Sequence, residues 1–149
     1  MKKLLLLFIV AVGFSCSNDE IIDYTAQNEA DIQAYLAENK INAKKTLSGL
    51  YYVINSEGNG ASPNFRSNVT LGYKGYFLNG TTFDQSTNAT FNVSGVVPGF
   101  GEALTILKTG GSGTFILPSR LGYGNSGSRS GSIRGGDVIV FDINLISIN

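Results

Sequence analysis

The 149-residue chain is 42% hydrophobic and formally neutral, with eleven basic and eleven acidic residues, one cysteine and no histidine. That length and apolar content fit one domain with a modest extra segment. Without histidine, Ser-His-Asp and Cys-His catalysis and imidazole-built metal sites are excluded, and a lone Cys16 excludes an internal disulfide, a zinc knuckle, a redox cysteine pair and a thiolate-held cluster.

No block of lysine and arginine is present, so the electrostatic footprint of phosphate-backbone binding is missing and no nucleic-acid partner is expected. The first residues read as an address. Lys2 and Lys3 precede the apolar run Leu4 to Val12, which closes on Gly13-Phe14-Ser15-Cys16. A helix from Leu4 to Ser15 would rise about 18 Å, against a hydrocarbon core of about 30 Å, which points to an export signal and not a permanent span. The arrangement resembles a bacterial lipoprotein leader, which implies residues 1–15 as signal peptide and acylation at Cys16, although Gly13 stands where leucine is usual. An ordinary secretory signal with an incidental thiol is the alternative, and no Ala-x-Ala site supports it.

Residues 16–46 read as an acidic tether with a short helix. Loss of Lys2 and Lys3 would leave nine basic against eleven acidic residues, and Asp19, Glu20, Asp23, Glu29, Asp31 and Glu38 all precede Lys40. This charge reads as a solvated surface, with a stalk held off an anionic bilayer as the sharper alternative. Asn28 is predicted to cap the helix, with Glu29 and Asp31 in its first turn. Ile32, Tyr35 and Leu36 share one face, to be packed against the domain or a second copy.

From Gly49 onward lie eighteen of the nineteen glycines, and the folded domain is expected over 47–149. Strands are predicted at Leu50 to Ile54, Val69 to Leu78, Thr81 to Phe83, Thr90 to Val93, Thr114 to Leu117 and Val138 to Ile146. Asn79-Gly80 signals a hairpin. Pro98-Gly99 opens one short helix with Phe100, Leu104 and Leu107 on its apolar face, stopped by Gly110-Gly111. The fold class is α+β: a mostly antiparallel twisted sheet wrapped around one short helix, preceded by an N-terminal helix. Phe83-Asp84, between the strand of Tyr73 and the turn Val96-Val97-Pro98-Gly99-Phe100, suggests an apolar pocket with one carboxylate. Such a pocket suits a peptide bond that is bound, twisted and shielded from water.

Five ordered blocks carry a family resemblance: Leu71 to Gly75, Gly80 to Asp84, Val96 to Leu104, Gly122-Tyr123-Gly124 and Val138 to Asp142. Together they resemble the FKBP-type peptidyl-prolyl cis-trans isomerases over Leu47 to Asn149. The resemblance implies a proline pocket with Tyr73, Asp84 and Tyr123 as its polar, catalytic residues. Phe83, Val96, Val97, Phe100, Ile133 and Phe141 would bind substrate. Phe100 would form the floor, the Val97 N–H would meet a carbonyl of the bound peptide, and the Tyr123 hydroxyl another. No cofactor or metal is implied.

Departures from the family pattern accompany the resemblance. The segment from Asp84 to Phe91 is short, Ala89 stands where many members have an aromatic wall, and an arginine that commonly partners the aspartate has no counterpart. Phe100 replaces tryptophan, and Arg134 and Gly135 replace prolines after Ile133 in a Gly/Ser-rich loop expected to be mobile. The reading is a lipid-anchored isomerase of the bacterial cell envelope acting on proline-containing segments of exported proteins, with macrolides as candidate inhibitors. A catalytically weak or inactive binding lipoprotein of the same fold is the alternative.

Overall fold

In the computed structural model, residues 21–149 are described; Cys16 and the leader lie outside them. The first element of the described residues is helix α1 (Thr25–Glu38), followed by the short strand β1 (Lys44–Lys45) and β2 (Tyr51–Ser56). The hairpin β3 (Asn68–Phe77) and β4 (Thr82–Asn92) comes next, then helix α2 (Pro98–Ile106), β5 (Ser112–Leu117) and β6 (Ile139–Ile148). All strand pairs are antiparallel, in the order β1-β2-β5-β6-β3-β4. The fold class is α+β, as the strand pattern and the single internal helix predict.

The period-two rows of the strands dictate which face is buried. Ile139, Phe141, Ile143 and Leu145 of β6 join Val69 and Leu71 of β3 and Phe115 and Leu117 of β5 against Phe100, Ala103 and Leu104 of α2. Pro98 occupies the first turn of α2, where its missing N–H has no helical partner to lose. Leu107 ends that helix in an extended conformation while staying 1% exposed in the core.

On the opposite sheet face, α1 covers a second apolar cluster. Ile32 and Leu36 pack on Tyr51, Ile116, Val138 and Val140, with Tyr35 and Tyr76 at the margin. The helix is also held by polar bonds: the Tyr51 hydroxyl donates to Glu29 at 2.5 Å, and Lys45 Nζ lies 3.0 Å from Glu29 Oε2. Both contacts hold the Glu29 carboxyl below its ordinary pKa.

Two sequence expectations are corrected. Asn28 is not the helix cap: α1 starts three residues earlier, Asp23 accepts from the Thr25 N–H at 2.9 Å, and Glu29 and Asp31 lie beyond the first turn. The Asn28 amide is instead buried in contacts far along the chain. Second, the two short strands expected around 81–83 and 90–93 are one eleven-residue strand, β4. Asp84-Gln85-Ser86-Thr87-Asn88 has no apolar alternation to signal a strand, and its pairing is imposed by the β3 main chain.

Candidate active site

Eight of the nine side chains proposed from sequence converge where β3, β4 and β6 meet the start of α2. A cleft of about 380 Å³ is lined by Tyr73, Phe83, Asp84, Phe91, Gly95, Val96, Val97, Phe100, Tyr123 and Phe141. A larger hollow of about 690 Å³ lies on the open outer sheet face, bordered mainly by polar residues such as Asn55, Lys74, Gln85, Asp142 and Asn144. It lacks the aromatic enclosure an apolar ring would need, so the smaller cleft is the better candidate.

Its floor is Phe100, 4% exposed, in the first turn of α2. The Phe100 ring meets Phe141 edge-on at 4.8 Å between centroids, Tyr73 at 5.9 Å and Phe91 at 5.9 Å. Phe83 packs edge-on against Phe141 at 5.7 Å and at a tilt against Phe77 at 5.2 Å. These edge-on and tilted contacts hold the rings at steep angles to one another, leaving a concave box. Gly75 makes the box possible: a Cβ there would sit 2.6 Å from Phe83 and 2.7 Å from Phe141.

The polar edge is built by a β-bulge. Tyr76 opposes Thr82 and Gly75 opposes Asp84, so Phe83 is an extra residue in β4. Successive residues of a regular strand point to opposite faces, whereas here Phe83 and Asp84 both line the cleft. Asp84 then accepts a hydrogen bond from the Tyr73 hydroxyl at 2.6 Å. Burial, followed by the Asp84 hydrogen bond and charge and by nearby Tyr123, pushes the Tyr73 phenol up to about 12. Tyr73 therefore stays a neutral donor to the Asp84 carboxylate.

Val96 and Val97 enter the cleft from the residues just before α2, and the Val97 carbonyl accepts the Phe100 and Gly101 N–H groups. Tyr123 reaches the rim from the loop after a 3-10 turn at Ser119–Leu121 and is 36% exposed. Ile133 is not part of the lining; it is 4% exposed within the core cluster that supports the rings. Phe91 was missed from sequence. Its ring forms part of the cleft wall, packing edge-on against Tyr73 at 5.7 Å. The available signal was its place opposite inward-facing Val69, but that register depends on a second irregularity, between Leu71 and Tyr73.

Among the described residues no cluster of acidic or sulfur ligands could hold a metal ion. The cleft offers an apolar box, one carboxylate and two phenols. This suits reversible binding of a small apolar ring next to a polar amide.

The sequence model of the FKBP-type peptidyl-prolyl cis-trans isomerases matches residues 60–146. The FKBP-type isomerase FkpA of Aeromonas hydrophila is 38% identical over 128 residues, covering 82% of this chain and 47% of that protein. The Outer membrane protein MIP of Legionella longbeachae is 37% identical over 128 residues, covering 82% of this chain and 54% of its own length. The crystal structure of FkpA from Escherichia coli superposes with a TM-score of 0.74 at 31% identity, covering 83% of this chain and 60% of that one. The chain thus spans about half the length of the curated relatives it matches. The family match takes in more than half of the chain and every cleft residue, and the protein belongs to the FKBP-type peptidyl-prolyl cis-trans isomerase family.

Proposed function

We propose that the chain is a peptidyl-prolyl cis-trans isomerase acting on Xaa–Pro bonds of unfolded exported proteins. The observation that carries this reading is the aromatic cleft closed by Phe100, with the Tyr73–Asp84 pair at its edge. Phe83, Phe91, Val96, Val97, Phe100 and Phe141 would hold the pyrrolidine ring, while Ile133 supports them from the core.

Rotation about an Xaa–Pro bond crosses a barrier of about 18–20 kcal/mol because amide resonance is lost. Nothing covalent is required to lower it. Water stabilises the charge-separated planar amide, so a dry aromatic box favours the twisted, less polar state. Donors and dipoles already aligned with that state add binding that the planar ground state lacks. A difference of about 5–7 kcal/mol would accelerate rotation by roughly 10⁴–10⁵. In this scheme Tyr73, Asp84 and Tyr123 orient the carbonyls flanking proline, and the Val97 N–H receives a further one.

The test is a protease-coupled Xaa–Pro assay on the chain, with Phe100→Ala alongside. Rates no faster than the uncatalysed reaction would refute the enzyme reading. Calorimetric titration with a pocket-filling macrolide would then distinguish a silent pocket from a blocked one. The chain has no Trp to report binding by fluorescence.

We also propose that the protein is exported and held in the bacterial envelope by a lipid on Cys16. The Lys2-Lys3 start, the Leu4 to Val12 run and the small residues before Cys16 support this, and the Legionella relative is an outer membrane protein by name. No helix among the described residues is long and apolar enough to cross a membrane. Cys16→Ser should abolish incorporation of labelled palmitate and release the protein from membrane fractions. Retention of the variant in membranes would refute the anchor.

A further inference from the structure

Asn28 is a polar side chain only 2% exposed, facing inward from α1. Its Oδ1 accepts the Ser119 N–H at 2.7 Å and its Nδ2 donates to the Gly136 carbonyl at 2.8 Å. Those partners lie at the two ends of the loop that carries Tyr123 to the cleft, so one planar amide fixes the span between them. The same end of α1 adds two more contacts. The Tyr24 ring fills the space beside Gly136, whose φ of +85° and lack of Cβ permit that approach, and Asn125 Nδ2 donates to the Ile22 carbonyl at 2.7 Å. Within the loop, the Gly136 N–H returns to the Gly124 carbonyl at 3.0 Å, and the Gly127 N–H to that of Tyr123 at 3.1 Å.

Helix docking alone does not call for this amide. Ile32, Leu36 and the Glu29–Tyr51 bond already fasten α1 to the sheet, and a buried amide is costly unless its bonds are made. Asn28 does not touch the cleft itself.

We propose that Asn28 is a positioning residue: by clamping both ends of the Ser119–Gly136 loop to the N-terminal helix, it sets where the Tyr123 hydroxyl stands relative to Tyr73 and Asp84. The kinetic consequence rests on the isomerase reading; the placement of Tyr123 does not. Removal of the clamp lowers kcat with little change in KM, because the rings of the box, Tyr73, Phe83, Phe91, Phe100 and Phe141, stand on β3, β4, α2 and β6, and Ile133, the loop residue behind them, is held in the core by its own packing.

The experiment uses the chain labelled with 3-fluorotyrosine. Its seven tyrosines give separate fluorine resonances, and Tyr123→Phe identifies the one of interest. In Asn28→Ala the Tyr123 resonance moves toward its unfolded-chain position, and kcat falls about tenfold to a hundredfold while KM holds. Asn28→Asp retains the acceptor for Ser119 and loses the donor to Gly136; it shifts the same resonance in the same direction by less. Leu36→Ala loosens the same helix without touching the loop, and should lower the melting temperature while leaving the Tyr123 resonance and kcat at parent values. Folded Asn28→Asp with an unshifted Tyr123 resonance would overturn the proposal, as would a Leu36→Ala variant that moves the resonance or lowers kcat as much as Asn28→Ala. An inactive parent would refute the isomerase reading alone, and the fluorine spectra would still decide the clamp.

Discussion

The Tyr73 hydroxyl donates to the Asp84 carboxylate across 2.6 Å, from adjacent strands whose facing side chains meet over the cleft. Phe83, the extra residue beside this pair, brings a ring and a carboxylate to one wall from consecutive positions. The pair supplies the only carboxylate in the cleft lining, and its energetics should be visible in kinetics.

Tyr73→Phe and Asp84→Ala should each lower kcat/KM about tenfold, the lower end of what a hydrogen bond to a charged group contributes, since Asp84 is exposed. Because they act as one unit, the double variant should lose little more than either single one. Protease-coupled rates at matched protein concentration check this; losses that multiply would show that the two act independently.

Tyr73 sets an alkaline limit. Its phenol is raised from 10.0 to about 12 in the folded protein, so folding favours the protonated form. The stability this contributes is complete below pH 10 and is lost as pH rises from there through about 12. The difference in phenolate absorbance between parent and Tyr73→Phe should have its midpoint near the raised value, and Tyr73→Phe should lose less stability to urea over that window. A midpoint at the ordinary tyrosine value would contradict the buried, Asp84-bonded phenol.

Gly75→Ala tests the ring box without removing any ring. The new methyl would lie 2.6 Å from Phe83 and 2.7 Å from Phe141, and displacing a ring should cost about 1–3 kcal/mol. Macrolide affinity should fall with stability. Gly80→Ala is the control: its φ is +85° but nothing lies within 4 Å, so turn strain should appear in urea unfolding while affinity is retained.

Phe100→Ala removes the floor and should destabilise the domain by about 3–5 kcal/mol, as expected for a buried aromatic. Phe91→Ala should cost less stability, since Phe91 is half-buried, yet still open the wall it forms with Tyr73 and Phe100. Urea unfolding together with calorimetry separates the two effects. Equal stability losses would mean that Phe91 is core and not wall.

Much of the fold was legible because its signals are local. The alternating Ile139, Phe141, Ile143 and Leu145 row names its own buried face, Asn79-Gly80 marks the hairpin, and Pro98 opens α2. β4 was not legible as one strand, because its middle is polar and its pairing belongs to β3. Phe91 was hidden for the same reason: its facing depends on register shifts that no residue in the segment announces.

The sequence by itself determined what chemistry is possible: no imidazole, one thiol, and aromatic and branched residues at the spacings of a sheet and one helix. Those are properties of residue type and short-range period, which survive without knowledge of partners. Only the tertiary structure decided that Phe83 and Asp84 share a face, that the Tyr73 hydroxyl meets Asp84, and that Asn28 bonds to a loop ninety residues away and not to its own helix end. Each of these depends on long-range register or burial. A hydrogen bond between distant segments leaves no periodic trace in the chain that makes it.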